Sequence, residues 1–211
     1  LLARANQALA TLSSYRARLV EEADNLTMLE VRDQVQVRDV AAVAQRVEMW
    51  RRIDAEVRGY VSALGVEGRL VQLQRNELSL GVEDLGRLLT EDYRPDSVAP
   101  GEFSLSGLQK LPWEDLLDVA KVAGAIDLDP VEHPLDAPMQ PRGHRQLASI
   151  TDLSSRAIQA IIDHFSNLQT LVSASTSELG DVKGVGLKRA REIRQGLESI
   201  FENDQRTHHF H

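Results

Sequence analysis

The sequence predicts an all-α protein, a helical spine or bundle followed by two tandem helical hairpins. Three observations carry that prediction. Hydrophobic residues make up 42% of the 211-residue chain and aromatics only 4%, so Leu, Val and Ala must fill the core, which suits packed helices better than a β-sandwich. Over residues 1–58 apolar side chains recur near every third, fourth and seventh position, with neither Pro nor Gly between them. From Arg142 onward the chain repeats itself with a period of 32 residues.

The spine is expected to occupy residues 1–92. Leu2, Ala5, Leu9, Leu12, Leu19 and Leu26 form the stripe of a first helix. Val40, Val43, Val47, Trp50, Ile53, Val57 and Tyr60 form that of a second, at roughly 37–63. Trp50 and Tyr60 read as core on this pattern rather than as ligand-binding aromatics. Gly65 and Gly68 punctuate a turn, after which Leu70, Leu73, Leu78, Leu80, Val82, Leu85 and Leu88 supply one or two shorter helices of an antiparallel bundle.

Residues 93–140 read as an acidic, Pro-rich hinge with one short helix. Pro112 suits the first turn of a helix through Trp113–Leu117, and Gly124 is a natural stop. Four prolines, Pro130, Pro134, Pro138 and Pro141, mark a domain boundary. Asp127, Asp129, Glu132 and Asp136 with His133 read as a solvated loop rather than a metal site. Residues 141–202 form the hairpin domain, and 203–211 a disordered tail whose His208, His209 and His211 lack partners at ligand spacing.

The net charge of −8 speaks against nucleic acid until it is divided. Residues 1–100 carry 13 basic and 16 acidic side chains, residues 101–140 carry 2 and 8, and residues 141–211 carry 9 and 8. Phosphate responds to the local field, so the last third is the place for DNA. The chain has no cysteine, which excludes disulfides and thiolate metal sites and fits a reducing, cytoplasmic compartment. No apolar run approaches the roughly 20 residues that span a bilayer. The N-terminus lacks a signal-peptide layout and opens inside an amphipathic pattern, so a piece of a longer protein is expected.

In the repeat, Leu147 aligns with Leu179, Ile150 with Val182, Leu153 with Val185, Ile161 with Ile193, and Phe165 with Leu197. Each copy reads as short helix, tight turn, longer helix. In the second copy Ser175 and Glu178 have capping-box spacing. Small Ala190 lets the two helices approach. Gly184 and Gly186 reach backbone angles closed to other residues and leave no side chain between the chain and a ligand. The amides from Gly184 and Val185 through Gly186, Leu187 and Lys188 then open a helix, where unpaired N–H groups and the dipole favour phosphate. Lys183, Lys188, Arg189, Arg191 and Arg194 surround the turn with positive charge. Contacts of this kind are independent of base sequence. Arg142 and Arg145 are expected as a secondary DNA contact. The first copy has Asp152-Leu153-Ser154 where the second has Gly-Val-Gly, and an Asp there repels phosphate. That hairpin therefore reads as a structural partner.

The segment from Ser166 through Ile193 resembles the tandem helix-hairpin-helix domains of RuvA (its domain 2) and of the UvrC C-terminus. A resemblance along nearly the whole chain rests on Arg4-Ala-Asn-Gln-Ala-Leu-Ala-Thr-Leu, Gln45-Arg-Val-Glu-Met, Gly68-Arg-Leu, Glu91-Asp-Tyr and Pro141-Arg-Gly-His-Arg. These are similar to the linker and C-terminal regions of the DNA integrity scanning family of bacterial diadenylate cyclases. The resemblance implies sensing of branched or Holliday-junction DNA by a nucleoid-associated protein. It also implies synthesis of cyclic di-AMP from ATP with Mg or Mn by a separate N-terminal domain, within an octamer. The family's cyclase motifs, Asp-Gly-Ala and Arg-His-Arg, do not occur here. No catalytic residue, metal ligand or cofactor is therefore expected in this chain, and the expected partner is DNA. A non-catalytic oligomerisation or protein-interaction module is the alternative. A nuclease or ligase fragment would need a carboxylate cluster or a reactive lysine in a fixed motif, and neither is present.

Overall fold

The computed structural model describes residues 1–128, 134–150 and 153–207, with side chains as far as Glu202. The expectations placed on Asp129, Pro130, Glu132, His133, Asp152, His208, His209 and His211 lie outside the described residues. The fold is all-α, with no strand among the described residues. The chain forms two compact units whose segments interleave along the sequence.

The first unit comprises Leu1–Leu26, Gln36–Arg87 and the described residues of 104–137. Helix α1 (Leu2–Val31) buries Ala5, Leu9, Leu12, Leu19 and Leu26, while Leu2 at the helix start is 45% exposed. Helix α2 (Val37–Leu64) is the centre of this unit and buries Val40, Val43, Val47, Trp50 and Val57. Its start is fixed by a capping box in which the Gln36 amide donates to Asp39 Oδ2 at 2.7 Å. A 3₁₀ turn at Gly65–Gly68 leads into α3 (Arg69–Ser79), which packs on α2. Next come α4 (Val82–Tyr93), α5 (Trp113–Leu116) and α6 (Val119–Ala125), and α6 also packs on α2. The buried Gln45 side chain donates to the Leu116 carbonyl at 2.7 Å and ties α2 to α5.

The expected leucine stripe of α3 is not its buried edge. Leu70 and Leu73 are 67% and 62% exposed, and Leu80 just past the helix end is 69% exposed. The buried edge follows Val71 and, one turn on, Arg75, whose guanidinium grips the buried Asp54 of α2 at 2.6 and 2.7 Å. A two-pronged ion pair sets the rotation of α3, and the leucines on its other side face solvent.

The second unit gathers Thr27–Val35, Leu88–Phe103 and the described residues from Pro138 on. Its hairpins are α7 (His144–Ser149) with α8 (Ser155–Phe165), and α10 (Thr176–Asp181) with α11 (Gly186–Thr207), joined by α9 (Leu168–Ser173). Helix α11 runs past position 203, where the tail was expected to begin. The 32-residue repeat is visible in the packing. Leu147, Ile150, Ile161 and Phe165 share one apolar core with their counterparts Leu179, Val182, Ile193 and Leu197. Val185 joins that core and Leu153 packs against it. Consecutive segments breaking at 92 and 140 do not describe this unit, because residues from the ends of α1 and α4 sit with the hairpins. Glu30 and Asp92 are fully buried there and bond to the start of α7.

Candidate nucleic-acid interface

The second hairpin begins with a completed capping box. Ser175 Oγ accepts the Glu178 amide at 3.2 Å, and Glu178 Oε2 accepts the Ser175 amide at 2.7 Å. These bonds, from the Ser175 amide first and its hydroxyl second, hold the Glu178 carboxyl below its ordinary pKa. Val182 ends α10 in an extended conformation, and Val185 donates back to the Val182 carbonyl at 3.0 Å to close the turn. Between and after them, Gly184 (φ +89°) and Gly186 (φ +70°) are both left-handed. A Cβ at either glycine would meet nothing within 4 Å. The turn therefore needs glycine for its backbone angles, and the space above it is open.

Helix α11 starts at that open turn. Among the described residues no side chain bonds to the amides of Gly186, Leu187 or Lys188. The equivalent start of α8 is closed by its own Ser154, whose hydroxyl accepts the Ala157 amide at 3.2 Å. The repeat aligns Ser154 with Gly186, so a capped helix in one hairpin becomes an uncapped one in the other. Val185, Ala190 and Ile193 point into the core, and Lys183, Lys188, Arg189 and Arg191 are exposed around the turn. Four cations beside free helix-start amides can bind an extended polyanion through its backbone.

The family model for the DisA bacterial checkpoint controller linker region matches residues 1–133. The chain belongs to the DisA family. It is 85% identical over 209 residues to the DNA integrity scanning protein DisA of Cutibacterium acnes, covering 99% of this chain and 61% of that protein. The proteins of the same name from Acidothermus cellulolyticus and Streptomyces coelicolor are 46% and 44% identical over 207 residues, covering 96% of this chain and 56% and 55% of theirs. This DisA-family chain thus spans 55–61% of the length of these relatives.

Three arginines expected at the interface face elsewhere in this family member. Arg145 lies inside the second unit, its side chain 8% exposed, with Nη1 donating to Glu30 Oε1 at 2.6 Å and Nη2 to Thr27 Oγ1 at 3.1 Å. Arg142 donates to the Asp92 and Arg94 carbonyls and to Asp96 Oδ1, the last two at 2.6 and 2.5 Å. Neither presents its guanidinium outward as a phosphate contact requires. Arg194 sits over the end of α9, donating to the Val172 and Ala174 carbonyls at 2.6 and 3.2 Å and pairing with Glu198 at 2.8 Å. It serves the last carbonyls of a helix rather than a ligand.

Arg142 and Arg145 belong to a buried polar knot that the sequence analysis missed. Asp92 Oδ1 accepts the Gly143 and His144 amides at 2.8 and 2.5 Å, and Oδ2 accepts the Arg145 amide at 2.9 Å. Glu30 accepts from the Tyr93 hydroxyl at 2.7 Å and from the Gln146 side-chain Nε2 at 2.5 Å. Burial pushes the Glu30 carboxyl above its ordinary pKa against the pull of Arg145. Burial and then the nearby Glu30 and Asp92 push the Tyr93 phenol well above its own. One exposed cation was also overlooked. Arg156 on α8 stands one 32-residue period before Lys188, and the repeat alignment could have found it.

Among the described residues no group of three or more His, Cys, Asp or Glu is placed to hold a metal ion. Likewise, none of their helices is long and apolar enough to cross a membrane.

Proposed function

We propose that this chain binds DNA through the second hairpin of a tandem helix-hairpin-helix domain. Binding is to the phosphate backbone, without sequence preference, and favours branched structures such as four-way junctions. The carrying observation is the open Gly184–Gly186 turn, whose uncapped α11 start stands among Lys183, Lys188, Arg189 and Arg191. The name the relatives carry, DNA integrity scanning protein, supports the choice of ligand. By the same family membership, the chain is the DNA-sensing part of a cytoplasmic, nucleoid-associated diadenylate cyclase, an octamer whose ATP and Mg or Mn belong to a domain outside these residues. In this reading the cofactor set belongs to the parent protein and not to these residues. What supports it is that the sequence has neither an Asp-Gly-Ala nor an Arg-His-Arg motif. The chain itself carries no catalysis in this reading.

Replacing Gly184 and Gly186 together by Val tests the proposal. Each substitution forces a β-branched residue into left-handed backbone at a cost of about 1–2 kcal/mol and turns the amides away from their target. Four-way-junction binding should be lost in the double variant while its helical circular dichroism persists. Unchanged junction affinity would exclude the turn. A second reading, self-association through the first unit, is favoured by the exposed Val66 in the turn before α3 and the exposed Leu70 and Leu73 on α3. Native mass measurement without DNA separates it, since a stable multimer indifferent to junction DNA supports that reading alone.

A further inference from the structure

Leu187 is out of keeping with its surroundings. It is the second residue of α11, 61% exposed, and stands in the rim formed by the exposed Lys183, Lys188 and Arg189. Its exposure is built into the hairpin. Leu187 leans across α10 over Gly180, where a Cβ would come within 3.0 Å of Leu187 Cδ2. The absence of a side chain at Gly180 lets the leucine lie against the helix while the rest of it faces outward. At the equivalent place in the first hairpin, one 32-residue period earlier, stands the exposed polar Ser155. The hairpin with the open turn thus carries the apolar side chain, and the hairpin with the capped turn does not.

A lone exposed leucine is ordinary on a protein surface. One held between cations at an uncapped helix start is placed differently. When the amides and lysines of this turn engage a phosphate, the side chain beside them meets the next part of the same polymer. That part is a deoxyribose or the edge of a base, the apolar parts of a nucleic acid.

We infer that Leu187 is an apolar contact to the sugar–base face of DNA, set within an otherwise electrostatic interface. This rests on the DNA-binding reading above and adds a component that charge does not supply. Cation contacts release counterions and weaken with salt, whereas burying a leucine against sugar does not. The two components therefore separate in one experiment.

The affinity of the chain for a four-way junction is measured across a salt series for the parent, Leu187→Ser, Leu187→Met and Lys188→Ala. Leu187→Ser should bind about five- to tenfold more weakly at every salt concentration, with the slope of log affinity against log salt unchanged. Leu187→Met, which restores apolar area, should bind like the parent. Lys188→Ala should change the slope. Parent-like affinity of Leu187→Ser, or a loss confined to low salt, would overturn the apolar contact while leaving the phosphate-binding turn intact. Failure of the parent itself to bind junction DNA would overturn both.

Discussion

The two hairpins of the second unit share a core and a 32-residue repeat, yet they direct their charges oppositely. In the first, the arginines next to α7 turn inward. Arg145 meets Glu30, Arg142 meets the Asp96 carboxylate and main-chain carbonyls, and Asp92 takes three amides at the start of α7. In the second, the cations near the turn stay in solvent and the α11 start has no capping side chain among the described residues. The difference follows from a few residues. Ser154 caps α8 where Gly186 opens α11, and the carboxylates of Glu30 and Asp92 are brought to the first hairpin by the ends of α1 and α4. One fold is thereby used once for anchoring and once, in the proposed reading, for an exposed anion site.

Breaking the anchoring side should have the largest effect on stability. Arg145→Ala leaves Glu30 buried without its cation, and loss of one member of such a pair costs about 3–5 kcal/mol. Thermal unfolding should show a marked drop in midpoint. Glu30→Gln combined with Arg145→Leu should recover much of it, because the uncompensated charge is gone while an acceptor for the Tyr93 hydroxyl and the Gln146 side chain remains. Well below the midpoint, junction affinity of Arg145→Ala should match the parent. A loss of affinity there would return Arg145 to the interface.

A smaller effect sharpens the comparison within the second hairpin. Lys188→Ala should reduce the magnitude of the salt slope by about 0.9, the equivalent of one phosphate contact. Arg194→Ala, eight residues past Gly186 and bonded to the Val172 and Ala174 carbonyls, should leave the slope unchanged and cost about 1 kcal/mol of stability. A lower slope for both would put Arg194 on the DNA.

Much of this arrangement was legible in the chain. The leucine and valine stripes placed α1 and α2, the Ser175 capping box and the glycines placed the second hairpin, and the repeat placed the first and named the residue pairs that meet in the second core. Local spacing suffices for these, because each is a property of neighbours on one helix or of two copies of one motif. The inward arginines were not legible. The partner of Arg145 is Glu30, on a helix more than a hundred residues earlier, and no local pattern distinguishes a cation bound for solvent from one bound for a buried carboxylate. Leu70 and Leu73 show the same limit, since a distant pair, Arg75 with Asp54, decides which side of α3 is buried. Arg194 was misplaced for a different reason. It stands two helical turns past Gly186 among other cations of α11, and only the fold shows that its guanidinium turns to the α9 carbonyls.

Amide hydrogen exchange on the chain with and without a four-way junction addresses the division between the hairpins most directly. Junction DNA is predicted to slow exchange over 184–190 and to leave 143–147, the amides at the anchored start of α7, as they are in the free chain. Protection of 143–147 with no change at 184–190 would contradict the account.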